Sequence, residues 1–206
     1  PIIGLLGGIA SGKSAVARML EAKGAGVLDA DRAGHEALTD PEVIRLARER
    51  WGDNVLDASG AIDRQAVARI VFGDTPRADE ERRYLEQLTH PRIGARLQSQ
   101  IEAWAASGGV EAIVLDAPPV LEAGWQSACQ WILYVDAAAE IRRRRAVERG
   151  WTEAEFAARE QTQKDLESKR RSAQVVLDNS GTLADLQSQV DAFWDRCVAG
   201  GAGGNG

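Results

Sequence analysis

Histidine and cysteine are scarce in this 206-residue chain, with two of each. His35 and His90 alone cannot build a histidine-rich metal centre. Cys129 and Cys197 form no C-x-x-C pair, so neither a zinc site nor a paired-thiol redox motif is expected. Both are read as reduced, buried thiols of a cytoplasmic protein. No apolar run approaches the ~20 residues that cross a bilayer. Residues 1–6 carry no basic leader and run into a glycine loop, so neither a membrane nor a signal peptide is expected. An excess of positive charge is missing too: the formal net charge is −6, which argues against a protein that coats nucleic acid. No internal repeat is found, and a monomer is the expectation.

What is present suits one α/β core with inserted subdomains. Hydrophobic residues make up 44% of the chain and charged residues 27%, enough to bury a core and stay in solution. Short apolar runs at residues 2–6, 27–29, 112–115, 131–135 and 175–177 read as strands. Helical patterns fall between them, at 14–23, 140–171 and 183–197, and over 32–107 with breaks at Pro41, Gly52, Gly60, Pro76 and Pro91. Strands alternating with helices predict an open parallel sheet with right-handed crossovers. Such sheets bind ligands beyond the carboxyl ends of their strands. The glycine-rich residues 200–206 have too little to pack and read as a disordered tail.

Gly7-Gly8-Ile9-Ala10-Ser11-Gly12-Lys13-Ser14 fits G-x-x-x-x-G-K-S/T in full, between a predicted strand and a predicted helix. Glycines let successive N–H groups turn inward onto phosphate oxygens, and the following helix adds its positive end. Lys13 is expected to bridge β- and γ-phosphates, and the Ser14 hydroxyl to ligate Mg²⁺. The motif says nothing about the phosphate acceptor.

Asp29 and Asp31 follow the second strand and, by the two-residue strand period, face one side. An acidic group there could take a proton from an acceptor hydroxyl. Helix capping explains either residue as well. Between residues 142 and 171 ten Lys/Arg stand against six Asp/Glu, a cationic segment on an acidic chain. Arg142, Arg145 and Arg149 recur at helical spacing and share a face. Arginines on a closing lid can stabilise a phosphoryl transition state. Arg143, Arg144, Arg170 and Arg171 read as solvated charge. The six tryptophans are scattered and read as packing or interface residues, with Trp125 and Trp151 flanking the candidate site segments.

These segments, in this order, resemble the dephospho-coenzyme A kinases. The loop with Val27-Leu28-Asp29-Ala30-Asp31 resembles their opening. Ile62-Asp63-Arg64, Val71-Phe72, Leu85-Glu86-Gln87-Leu88-Thr89-His90-Pro91, Leu115-Asp116-Ala117-Pro118-Pro119-Val120-Leu121-Glu122, the Arg145–Arg149 and Arg159–Gln163–Lys169–Ala173 spacings, and Asp178-Asn179-Ser180-Gly181 continue the likeness over residues 2–194. The resemblance implies an α/β three-layer P-loop NTPase fold with a five-stranded parallel sheet. It implies a core of about 1–31, 109–138 and 174–198 within a single domain of 1–199. A helical acceptor-binding insertion would cover about 32–108, and a helical lid about 139–173.

The same resemblance implies transfer of the ATP γ-phosphate to the ribose 3′-hydroxyl of dephospho-CoA, with Mg²⁺. Asp31 would be the base. Gly8, Ile9, Ala10, Ser11, Gly12, Lys13, Ser14, Ala15 and Asn179 would hold the nucleotide. Arg64, His90, Asp116 and Glu122, with Asp31, would meet the acceptor, and Arg145 and Arg149 the transferred group. Two plainer readings stay open: His90 before a proline ends a helix, and Arg64 is surface charge. Leu6, Ala15, Pro119, Val120 and Gln174 depart from the family pattern. A nucleoside-monophosphate or sugar-acid kinase of the same architecture is the nearest alternative. A GTPase-like switch is disfavoured, because neither N-K-x-D nor D-x-x-G is in place, and a non-catalytic nucleotide-binding module is less expected still.

Overall fold

The computed structural model describes residues 1–73, 75–116, 125–162 and 166–200, with their side chains except at positions 31, 125 and 162. In chain order the elements are β1 (Ile2–Gly7), α1 (Lys13–Ala22), β2 (Ala25–Asp29), α2 (Ala30–Ala37), α3 (Pro41–Trp51), α4 (Arg64–Val71), α5 (Ala78–Ser107) and β3 (Ala112–Asp116). They continue as β4 (Trp131–Asp136), α6 (Ala139–Glu148), α7 (Glu153–Thr162), α8 (Leu166–Arg171), β5 (Val175–Asp178) and α9 (Leu183–Trp194). Each predicted strand is present within two residues of its expected bounds. The chain forms two compact units, Pro1–Leu28 with the chain from Trp104 onward, and Asp29–Ala103.

In the first unit the strands form one sheet in the order β2-β3-β1-β4-β5. β1 pairs in parallel with β3 (Ile3 opposite Val114) and with β4 (Leu5 opposite Leu133), and β4 with β5 (Val135 opposite Leu177). Ile3, Leu5 and Leu6 are all fully buried, so β1 is covered on both faces. That is why it reads as a continuous apolar run instead of an alternating one. Val16, Ala17, Met19 and Leu20 of α1 join Leu186, Val190, Phe193 and Trp194 of α9 in one core with Ile3, Leu5, Val114, Leu133, Val135 and Leu177. Phe193, edge-on to Trp131, is central to that layer, and its truncation to alanine should cost about 3–5 kcal/mol. Gln174 extends the β4–β5 pairing by a reciprocal pair of bonds with Ile132.

The second unit has its own core of Val43, Ala47, Val55, Ile62, Val67 and Val71. Aspartates start its first helices: Asp29 caps α2, Asp40 caps α3 and Asp63 caps α4. Glu81, 8% exposed, accepts bonds from Arg50 and from Trp51 Nε1.

Three expectations need correction. Pro91 does not break the helical run; it lies inside α5, which spans 30 residues. Proline there removes one helical bond. Thr89 Oγ1 and an Arg92 guanidinium nitrogen donate to the carbonyls of Leu85 and Leu88, on either side of the lost bond to Gln87. Cys129 and Cys197 are free but only half-buried. Asp29 and Asp31 do not share a strand face, because the chain turns into α2 at Ala30. Pro118, Pro119, Val120, Glu122, Gln163 and residues 201–206 lie outside the described residues. No helix among the described residues is long and apolar enough to cross a membrane.

Candidate active site

β1 ends at Gly7, and α1 begins six residues later at Lys13. The connecting loop has the backbone that the motif requires. Gly7 takes φ +154°, and a Cβ there would lie 2.6 Å from the Val135 carbonyl. Gly12 takes φ +107°, and a Cβ there would lie 2.1 Å from Asn179 Nδ2. Neither position accepts a side chain. Among the described residues, Ala10 is the non-glycine residue at positive φ, +56°. A left-handed alanine costs about 1–2 kcal/mol, and such strain concentrates at functional sites. The Lys13 ammonium donates to the carbonyls of Gly7 (3.1 Å) and Gly8 (3.4 Å), which holds it over the loop. Ser14 lies exposed in the first turn of α1.

The far side of the loop is braced from two other elements. Asn179, just past β5 and 5% exposed, donates from Nδ2 to the Ser11 carbonyl at 2.6 Å. Its own N–H binds the Asp136 carbonyl at the end of β4. Arg145 of α6 donates to the Ser11 carbonyl (3.3 Å) and to the Asn179 carbonyl (2.9 Å). Burial first, then the neighbouring charges of Arg144 and Arg149, pull the Arg145 guanidinium below the ordinary arginine range. Its hydrogen bonds at the loop's edge go to carbonyls, and an anionic ligand there would supply counter-charge. The turn itself is shaped by Asp178, whose carboxylate accepts from the Ser180 N–H at 2.8 Å.

The helical face predicted for Arg142, Arg145 and Arg149 divides into three environments. Arg142 is buried and pairs with Glu160 of α7. Arg145 meets the loop, and Arg149 is exposed at the end of α6. Arg144, Arg170 and Arg171 are exposed and Arg143 half-exposed, each paired with a carboxylate. Arg159 stacks on Trp151, 4.2 Å from the ring centroid. Sequence spacing missed Glu160, because a contact between two helices leaves no periodic trace. Asp116 ends β3, the strand beside β1.

In the second unit, the Asp29 carboxylate accepts from the Arg32 N–H at 2.9 Å, so capping explains this residue. Asp31 lies in the first turn of α2. Arg64 is exposed at the first position of α4, and His90 is exposed on α5. The motifs around them split in two: Ile62 and Val71 are core residues, whereas Arg64, Phe72 and His90 face outward. An open cavity of about 870 Å³ in this unit is lined by Trp51, Ile70, Arg50, Arg69 and Arg77 among others.

No group of three or more His, Cys, Asp and Glu among the described residues could hold a metal on its own. The Ser14 hydroxyl at the start of α1 and the Asp116 carboxylate at the end of the neighbouring strand are oxygen donors, which suit Mg²⁺ better than a softer metal. Such an ion is held jointly by a few protein oxygens and the phosphates of a nucleotide.

The sequence profile of the dephospho-CoA kinase family matches residues 1–185. A dephospho-CoA kinase of Symbiobacterium thermophilum is 40% identical over 207 residues, covering 98% of this chain and 83% of that one. One from Synechococcus sp. is 41% identical over 209 residues, covering 92% and 89%. Among solved structures, TT1252 from Thermus thermophilus superposes with a TM-score of 0.80 at 34% identity, covering 95% and 97% of the two chains. The dephospho-CoA kinase from Campylobacter jejuni shares the fold, with a TM-score of 0.72 at 22% identity over 97% and 98%.

Proposed function

Because this chain belongs to the dephospho-CoA kinase family, we propose a division of labour among its residues for the reaction it catalyses. That reaction is transfer of the ATP γ-phosphate to the ribose 3′-hydroxyl of dephospho-CoA, giving CoA and ADP.

The carrying observation is the braced loop: two glycines that tolerate no Cβ, a strained Ala10, and Lys13 drawn over the loop carbonyls. The amides of residues 8–15 and Lys13 hold the β- and γ-phosphates, and the start of α1 adds its positive end. Asn179 and Arg145 fix the loop at Ser11, so its amides need not reorganise as charge develops. Asp31 takes the proton from the 3′-hydroxyl, the general-base role that typically contributes about 10²–10⁴ in rate. Asp29 caps α2, and the family resemblance assigns the base to Asp31.

Arg149, exposed on α6, and Arg145 neutralise the transferred group. Ser14, with Asp116, would hold Mg²⁺, which when bound would neutralise charge on the phosphates. Residues 32–108 serve as the acceptor-binding insertion, where Arg64 and His90 present outward-facing polar groups, and residues 139–173 serve as the lid. Glu122 is assigned to the acceptor on resemblance alone. The free thiols Cys129 and Cys197 support a reducing, cytoplasmic setting. A monomer is the proposed state.

A substrate panel tests the reading. With ATP and Mg²⁺, kcat/KM for dephospho-CoA should exceed that for any nucleoside monophosphate or sugar acid. Faster phosphorylation of either alternative would overturn the acceptor assignment.

A further inference from the structure

Two side-chain atoms among the described residues are buried without a hydrogen-bond partner, Ser11 Oγ and Arg142 Nη1. The first is part of the phosphate loop, and the second abuts it. The Arg142 side chain is 8% exposed. Its Nε donates to the Ala137 carbonyl at 3.1 Å, just past β4. Its Nη2 pairs with Glu160, and its guanidinium carbon lies 5.9 Å from the Phe156 ring centroid; both partners are on α7. Nη1 is left over, and it lies 3.0 Å from the place a Cβ on Gly8 would occupy.

A buried charged donor without an acceptor weakens a fold unless something supplies one. Here the neighbouring segment is the loop whose amides hold phosphate oxygens. The other arginines of α6 contact solvent, carboxylates or the loop's far side, and Arg142 is the enclosed one. Resting on the reading of this loop as the ATP site, we propose that Arg142 is a further positioning residue for the phosphate donor. Anchored to the end of β4 and to α7, it braces the Gly8 segment and keeps against the loop an unpaired N–H whose acceptor is a triphosphate oxygen. Its tie to Glu160 makes the grip on the donor depend on α7.

The rival is a structural pair that only holds α6 to α7. Calorimetric titration with the β,γ-imido analogue of ATP plus Mg²⁺ separates the two and needs no acceptor. Arg142→Gln should weaken analogue binding by about 10–100-fold, the worth of one hydrogen bond to a charged group. In turnover assays KM for ATP should rise in proportion while KM for dephospho-CoA stays put. The double variant R142M/E160M replaces the pair with apolar chains of similar length, an exchange that generally preserves stability. It should melt like the wild type yet bind the analogue as weakly as Arg142→Gln.

Analogue affinity within twofold of wild type in the melting-competent methionine pair would overturn the proposal. If that pair does not fold, Glu160→Gln decides, since it keeps the guanidinium and removes its anchor. Weaker analogue binding is then expected, and unchanged binding overturns the idea. A wild type that binds no analogue would sink the ATP reading and this proposal together. Analogue binding that follows these expectations with no turnover of dephospho-CoA would sink only the acceptor assignment.

Discussion

Alanine at Gly12 should damage the loop by two routes that can be told apart. The backbone there is left-handed, at φ +107°, which costs a side-chain-bearing residue about 1–3 kcal/mol. The new Cβ would also sit 2.1 Å from Asn179 Nδ2, the atom bonded to the Ser11 carbonyl at 2.6 Å. Driving that amide away unpairs its buried N–H and leaves the Ser11 carbonyl to Arg145 alone, a further loss of about 1–3 kcal/mol. Gly12→Ala should therefore lose about 2–6 kcal/mol in all. Asn179→Ala alone incurs only the second loss. In the double variant the amide is already gone, so the combined cost should fall short of the sum by about 1–3 kcal/mol, as expected for residues in contact. Urea unfolding of the four proteins, with matched m-values, measures the coupling. Additivity to within about 0.5 kcal/mol would refute the claim that Asn179 closes on the loop at Gly12.

Arg149→Met should fold normally and bind ATP nearly as well as wild type, with kcat lowered by about 10³-fold, as for loss of a transition-state arginine; single-turnover kinetics reads this. Ser14→Ala should raise the Mg²⁺ concentration for half-maximal rate while leaving the fold intact, measured by a Mg²⁺ titration of turnover at fixed ATP. Glu81→Gln should lose about 1–3 kcal/mol of stability, because Arg50 and Trp51 Nε1 lose a buried ionised acceptor. Bonds from Arg50 and then Trp51 hold the Glu81 carboxyl below its ordinary 4.5. Its stabilising contribution is thus complete above that pH and disappears as pH falls through the depressed folded value. The wild type's unfolding free energy should decline over that acid window, and the Gln variant's should be flatter.

Much of the first unit was legible because its elements are encoded locally. A strand buried on both faces must be continuously apolar, as residues 2–6 are, and the phosphate loop is a contiguous motif whose glycines are dictated by sterics. Resemblance to a family supplied the acceptor, which no local pattern carries. What spacing misjudged was set by chain direction or by tertiary contact. The strand period was carried past Asp29, although the Asp29 carboxylate caps a helix that begins at the next residue. Pro91 reads as a terminator, yet it lies inside a 30-residue helix whose other turns carry it through the one missing bond. The arginines of α6 looked alike, and only packing reveals that Arg142 is enclosed under Gly8 while Arg149 is bare. Helical periodicity says which residues share a face; it does not say what that face meets.

Single-turnover transfer from γ-³²P-labelled ATP to dephospho-CoA, run side by side with wild type and Asp31→Asn, tests the central chemistry. The expected result is label on the 3′-oxygen of the product and a rate constant at least about 10²-fold lower in the variant, with ATP affinity unchanged. A variant within twofold of the wild type, or label recovered as inorganic phosphate, would contradict the account.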